Sequence, residues 1–523
     1  MITSPNTSNN TPDTSINKSI EVDMLVDEEI WGHRIYNEQT PWLCFLEFLG
    51  VLYSIHQDPN QQAFVEAKPN TLSYLPQYRL YLRNILFNNP RLVAVVKETT
   101  NEEGRWQRWL NYMKESGAGL SEQPDFHYLQ QRFEKFTDFV KVIDFLRGTA
   151  IEGDSNKRWS SKFVFPYGPS CFYEDVAVST RGSVTNDRRF FARTGEILYL
   201  MLCRSNRASE LVPEFEKLLF TPNKWDKIVR ALQPDESKEP NPSKPREGAY
   251  LPGGTRQRYQ NLADDWLNIF RCSMPGYDAL PHIVTIMGLH MILYILERAS
   301  ETIQRADRVT FVLEIISPEK NSVHQLATAS YQENNRLTQQ ALEAYIDQKI
   351  AAADWQEAIA NNDIATLRDL FRDDFALKDA DKIDANQDAE KAIREFKARV
   401  FSRHQKHLEK VHSVWGSAIG LSSRRSSRYI RYTPKDILIK TLVLCTVSGR
   451  MEFQEFLHQL YEKYGFIIGP KQALQYFDAK KAEQDDFTMN AKRLEDRLAS
   501  LGLLKRLSDA CAYVENPFAQ ERQ

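Results

Sequence analysis

The sequence lacks the residue patterns that most directly announce chemistry. Six cysteines occur in 523 residues (Cys44, Cys171, Cys203, Cys272, Cys445 and Cys511), and none is paired as C-x-x-C. That excludes a local cysteine metal or redox motif. A chain this long needs no disulfide staples, so reduced thiols in a cytoplasmic protein are expected. No G-x-x-x-x-G-K-[ST] loop is present, and Gly253-Gly254 lacks a following lysine; G-x-G-x-x-G and H-E-x-x-H are absent too. P-loop hydrolysis, Rossmann oxidoreduction and helical zinc hydrolysis therefore find no support, and no cofactor or metal is implied. Apolar runs fall short of the roughly 20 residues a membrane span requires. The richest, Ile283 to Leu296, is interrupted by Gly288 and His290. The opening MITSPNTSNNTPDTSINKS is rich in Ser, Thr and Asn and lacks the basic-then-apolar order of a secretion signal. A disordered tail over 1–27, a short one over 519–523 and no membrane partner are the expectations.

What is present is enough to build cores. Hydrophobic residues are 42% and aromatic residues 11%, which rules out wholesale disorder, and the length suggests several domains. Trp42, Phe45, Leu46, Leu49 and Leu52 recur at helical steps, as do Tyr78, Leu82, Ile85 and Leu86, and then Phe133, Phe136, Val140, Ile143 and Leu146. The texture changes near 162–178, where Lys162–Phe165 and Val176–Val178 read as short strands around a Pro/Gly turn. Helical periodicity resumes through Phe190, Ile197, Leu198, Leu200 and Met201. These readings define a mainly helical region over 28–232. Residues 233–258 hold five prolines and Gly253-Gly254 and read as a linker or loop. A second helical region follows over 259–390. Within it, Ile283–Leu296 is apolar on all sides and predicts a helix buried centrally. Val309–Ile316 fits a buried strand or a helix equally. Residues 389–415 predict one long helix. The fold class is thus mainly α with minor β (α+β).

Charge is unevenly spread. Between Lys391 and Lys435 twelve basic residues face two acidic ones, a net of +10, which leaves −13 for the rest of a chain whose total is −3. The centre of this stretch is Ser422-Ser-Arg-Arg-Ser-Ser-Arg-Tyr-Ile-Arg-Tyr432, in which guanidinium, hydroxyl and phenol groups alternate without an acid. All three can donate to phosphate oxygens, so 391–432 reads as a basic helix and arm. A solvated helix face with a Ser/Arg linker is the plainer alternative.

After the arm, Thr433-Pro434 has the form of a helix start. The helix it opens holds Ile437, Leu438, Leu442, Val443 and Leu444. A second carries Phe453, Phe456, Leu457, Leu460, Tyr461 and Tyr464 and stops at Gly465. Asn490 is read as the cap of a third, with Leu494, Leu498 and Leu501 inward, ending at Gly502. Leu503–Leu507 and Cys511–Val514 form a hairpin. Three helices and a terminal hairpin over 433–518 resemble the winged helix-turn-helix superfamily. The resemblance implies a reading helix bearing Lys492, Arg493 and Arg497, and a wing bearing Lys505 and Arg506. With Arg424, Arg425, Arg428, Arg431 and Lys435 of the arm, these are the candidate nucleic-acid contacts. The spacer Phe466–Thr488 is longer than in simple members of the superfamily, and Glu495 and Asp496 lie on the supposed reading helix.

Other chemistry is weaker. His404, His407 and His412 have no evident metal partners and read as part of a basic helix face. Glu314 sits in an apolar run but is followed by two isoleucines, so the Glu-x-Lys of a restriction-type nuclease is missing. Region 162–196 clusters Tyr167, Tyr173, Glu174, Asp175, Arg181, Asp187, Arg188, Arg189, Arg193 and Glu196, which suits a metal, a phosphate-bearing substrate or plain salt bridges. The leading expectation is a non-enzymatic subunit that binds double-stranded DNA and other protein subunits. In texture, a large helical body ending in such a module resembles proteins of prokaryotic DNA-processing or genome-defence assemblies. A protein-interaction scaffold and an enzyme with its site in 162–196 are the alternatives.

Overall fold

Helix α12 (Ala279–Thr302) organises the architecture. Its sequence offers water no polar face before Glu297, so it must be wrapped on every side. In the computed structural model every residue from Ile283 to Leu296 is buried, as its composition predicts. The wrapping helices are α1 (Val22–Trp31), α2 (Pro41–Gln57), α11 (Gln257–Phe270), α13 (Ser322–Ile350), α17 (Leu408–Ala418) and α18 (Asp436–Thr446). Gly288 permits one of these contacts, because a Cβ there would lie 2.5 Å from Ile419 Cγ2. Among the described residues one helix, Gly276–Thr302, is long and apolar enough to cross a membrane, and 89% of its apolar window is buried inside the protein. The structure describes residues 22–519 apart from 34, 88, 117–119, 121–123, 150–163, 175, 179–183, 187–192, 236–237, 239–241, 243, 316–320, 378, 425–428 and 509–510.

The chain is mainly α-helical with a few small sheets. After α2, helices α3 (Leu80–Phe87), α4 (Asn89–Glu98), α5 (Glu102–Ser116), α6 (His127–Arg132) and α7 (Phe136–Gly148) surround a second core. It centres on Trp106, Trp109, Phe126, Phe136 and Phe139, whose ring centroids lie 5.0–6.2 Å apart. The hairpin β1 (Val176–Val178) and β2 (Val184–Asn186) precedes α8 (Thr194–Cys203), which packs along α2. Two short helices, α9 (Val212–Phe215) and α10 (Lys224–Ala231), complete this half. Lys162, Phe163 and Phe190 lie outside the described residues.

The second half adds β3 (Phe311–Val312), α14 (Ala353–Ala360), α15 (Ile364–Phe375), α16 (Ala389–Lys406), and the strands β4 (Ser422–Ser423) and β5 (Arg431–Tyr432). The C-terminal elements are α18, β6 (Arg450–Glu452), α19 (Phe453–Tyr464), β7 (Phe466–Ile467), α20 (Leu474–Asp478), α21 (Gln484–Ser500), β8 (Leu504–Ser508) and β9 (Cys511–Glu515). Strands β6, β9 and β8 form an antiparallel sheet in that order, while β3 pairs with β7 in parallel. The ambiguous run Val309–Ile316 is therefore a strand where the structure assigns it. One apolar core runs from Val26 through α12 to Val514, so the C-terminal elements share their interior with the body.

Several boundaries differ from the sequence reading, each for a local physical reason. Helix α1 begins at Val22, inside the segment read as tail, because Val26, Ile30 and Trp31 join the main core. The long helix read over 389–415 breaks at His407 (φ −123°, ψ −85°). The break lets His404 stack on Trp31 while His412 stacks on Tyr331 of α13. Thr433-Pro434 is not the start of α18, whose N-cap is Lys435; Thr433 is buried, and its N–H donates to Leu421 O at 3.0 Å. Asn490 is not a cap either. It sits buried inside α21, donating Nδ2–H to Leu313 O (2.9 Å) and Ile468 O (3.0 Å) and accepting from Ile315 N–H (2.8 Å). Three backbone groups beside β3 and β7 would otherwise lack partners in the interior.

Of the Pro-rich stretch 233–258, residues 257–258 open α11, and the described residues from 244 to 256 form a loop strapped to the N-terminal half. Arg246 and Tyr74 exchange backbone hydrogen bonds at 2.8 and 3.2 Å, and Tyr250 O accepts from His33 N–H at 2.8 Å. Leu251 is buried, its N–H donating to Asn70 Oδ1 at 2.7 Å.

Candidate nucleic-acid interface

The basic stretch divides once it is folded. On α16, Lys391 pairs with Glu395, Arg394 with Glu390, Lys397 with Asp347 and Arg399 with Asp379. Arg403 donates to Tyr36 Oη at 3.0 Å. Glu390, Asp347 and Asp379 lie outside the window that gave +10, since a sequence window counts neighbours in the chain and not in space. The basic-face reading also fails for two of the three histidines, His404 and His412, while His407 is half-buried with Nδ1 3.6 Å from Glu38 Oε2. His404 is buried, with Nδ1 2.9 Å from Asp27 Oδ1, and His412 is buried, with Nε2 2.8 Å from Tyr432 Oη. Burial pushes His412 down to about 4, so it is neutral at physiological pH. No cluster of three metal-ligating side chains occurs among the described residues.

The arm is a hairpin with an anchored base. Ser422 pairs with Tyr432 and Ser423 with Arg431. Tyr432 packs on Phe311 and Tyr331, and its hydroxyl accepts from Asn334 Nδ2 at 3.0 Å. Arg431 is buried in the same base and its Nε donates to Glu314 Oε2. That corrects its assignment as a phosphate contact, because the guanidinium is committed to an interior carboxylate. Glu314, whose neighbours gave it no lysine, has found an arginine in β5 and His324 at 3.1 Å. Arg424 and Tyr429, which flank 425–428, are exposed. Arg425 and Arg428 lie outside the described residues.

Around α21 the remaining candidates come together. Arg497 pairs with Asp436 at the start of α18 (2.7 Å), beside exposed Lys435. On β8, Arg506 pairs with Glu495 of α21 (2.5 Å), beside exposed Lys505. Lys492 is exposed and Arg493 half-buried. Arg424, Lys435, Lys492, Arg493 and Lys505 have no ion-pair partner among the described residues. The outward strip of α21 is mixed, because Asp485, Met489 and Asp496 share it with Lys492. Exposed Leu474 and Leu507 lie on α20 and β8.

The charged region 162–196 resolves differently. Its described members Glu174, Arg193 and Glu196 meet Glu47, Tyr74 and Arg246, three partners that sequence reading missed. Tyr74 Oη lies 2.7 Å from Glu196 Oε1 and 3.0 Å from Glu174 Oε1. Arg193 holds Glu196 at 2.7–2.9 Å, and Arg246 holds Glu174 at 2.5 Å. Glu47 accepts the N–H groups of Arg193 and Gly195 at the start of α8, and Nε2–H of Gln39. Burial and the neighbouring carboxylates Glu174 and Glu196 push Glu47 up to about 8, against those hydrogen bonds. Tyr173 packs in the second core, and Tyr167 packs against the same core and stacks on Trp225. Asp175, Arg181, Asp187, Arg188 and Arg189 lie outside the described residues. One signal was available for Glu47 and Glu196, since each is the lone acid of an otherwise apolar helix.

No known protein family, curated protein or solved structure matches the chain.

Proposed function

We propose that the chain is a nucleic-acid-binding component of a multi-protein assembly, gripping duplex backbone with its C-terminal elements. The observation that carries this reading is a set of exposed basic groups with no ion-pair partner among the described residues: Lys435 at the start of α18, Lys492 on α21 and Lys505 on β8, with Arg424 after β4. The order α18, β6, α19, β7, α20, α21, β8, β9, with β6 pairing β9, supports a winged helix-turn-helix enlarged by β7 and α20 between its second and third main helices. Asp485 and Asp496 on the outward strip of α21 argue against base readout in the major groove, so affinity should come from phosphates and be indifferent to sequence. Neutralising Arg424, Arg425, Arg428 and Lys435 together to Gln should weaken binding to every duplex alike. The slope of log affinity against log salt should fall by about 0.9 for each phosphate no longer neutralised. Arg431 is left out of that variant because it is buried against Glu314. A full-length protein without salt-sensitive affinity for duplex DNA sinks the proposal.

A second reading, a module that docks a partner protein, is favoured by exposed Leu474, Met489 and Leu507. Met489→Glu would then abolish assembly while leaving DNA affinity nearly intact.

A further inference from the structure

A cavity of about 330 Å³ lies between the start of α3, the end of α6, the turn Pro169–Cys171 and α10. Three arginines line it, Arg79, Arg132 and Arg230, and their situations differ. Arg79 is buried; one terminal nitrogen donates to Gln77 Oε1 at 2.9 Å, and its Nε–H has no partner among the described residues. Arg132 is fixed by the carbonyls of Ala231 and Gln233 and lies over the Tyr128 ring at 4.8 Å. Arg230 is exposed, and its side chain has no partner among the described residues.

Two carboxylates also line the cavity, and neither is within ion-pair distance of Arg79. Asp226 is occupied by Ser170, accepting its N–H at 2.8 Å and its hydroxyl at 3.3 Å. Asp235 is solvent-exposed and stands 3.9 Å from Arg132. A buried guanidinium with an empty donor is costly unless an anion meets it. Guanidinium groups suit phosphate oxygens through paired N–H donors, and here the three come from three different segments of the chain. The volume is at the small end for ligand sites. Tyr53, Pro169, Pro222 and Pro234 give the remaining space an apolar wall.

We propose that this cavity binds a phosphate group carried on a small organic ester, with the phosphate held by Arg79, Arg132 and Arg230. The site uses none of the residues of the C-terminal interface and stands independently of it. Calorimetric titration of the full-length protein with inorganic phosphate, ribose 5-phosphate and ribose, at matched chloride, tests it. Saturable binding of ribose 5-phosphate, weaker binding of phosphate and none of ribose are expected. Arg230→Gln, at an exposed position where folding is not at stake, should weaken binding about 10- to 100-fold. Equal affinity for phosphate and the ester, lost in Arg230→Gln, supports the site and assigns free phosphate as its occupant. Absence of saturable binding by either probe overturns the proposal, and so does binding that Arg230→Gln leaves unchanged.

Discussion

Two buried carboxylates, Glu47 on α2 and Asp265 on α11, show how the same burial has opposite consequences. Both side chains are closed to solvent. Asp265 meets the ammonium of Lys463, the Nε2 of His290 at 2.7 Å and the hydroxyl of Tyr464 at 2.9 Å. Burial alone would raise its pKa; Lys463 and the His290 hydrogen bond outweigh it and hold the carboxyl below its ordinary value. Glu47 is hydrogen-bonded as fully, yet its charged neighbours include Glu174 and Glu196, and it rises to about 8. Hydrogen bonding satisfies a buried carboxylate's lone pairs in both places. The sign of the nearest charge decides whether it stays ionised.

The sharpest break of this comparison is Asp265→Ala. It strands Lys463, which is mostly buried, and removes the partner of Tyr464, at the junction of α11, α12 and α19. A loss of about 3–5 kcal/mol is expected, as for other buried pairs deprived of one member, read from urea unfolding at neutral pH. A loss below about 1 kcal/mol would mean that water reaches the ammonium and that the pair belongs with surface ion pairs.

How far such sites can be read from sequence follows from the same residues. Periodicity and composition located the mainly helical character of the chain, the central burial of Ile283–Leu296, the stop at Gly465 and the final strand pair, because each rests on neighbours within a few positions. Gly465 takes φ +74°, and a Cβ there would lie 2.4 Å from Val309 O, so both its left-handed turn and its packing require glycine. Polar residues were harder to place. Asn490 has the chemistry of a cap, and only the pairing of β3 with β7 reveals that it satisfies interior backbone. Arg431 looked like its arginine neighbours until Glu314, 117 residues earlier, claimed it. A lone acid in an apolar run does announce a buried partner; which residue answers depends on topology that the chain does not display locally.

A smaller effect on the Glu47 side comes from Gly195→Ala. Glu47 accepts the Gly195 N–H at 2.8 Å, and an added Cβ would stand 2.6 Å from Phe48 N and 2.8 Å from the Glu47 side chain. Because α2 and α8 meet at backbone distance, they have to separate, at a cost of about 1–3 kcal/mol by urea unfolding. A neutral result would show that this contact has slack and that Glu47 is less confined than Asp265.

The finest test is the pH dependence that the comparison demands. Asp265 is held below its ordinary value, so its stabilisation is present above the unfolded-state pKa of 3.8 and is lost as pH falls through the lower folded value. Burial lowers His290 from 6.5 to about 4; its neutral form adds to the same acid limb, lost as pH falls through that folded value. Glu47 has the opposite sign. With a folded value of about 8 against 4.5 unfolded, its protonated form favours folding most at low pH, and the benefit disappears as pH rises towards 8. Glu47→Gln carries no such proton, and whatever it does to hydrogen bonding at the start of α8 is independent of pH. The wild-type protein should therefore lose stability relative to Glu47→Gln between about pH 5 and pH 8.5 in matched urea titrations, while Asp265→Asn shows its pH-dependent difference only on the acid side. A wild-type-to-Glu47→Gln difference that stays constant across that range means Glu47 remains ionised at neutral pH, and that the N–H groups of Arg193 and Gly195 outweigh the repulsion from Glu174 and Glu196.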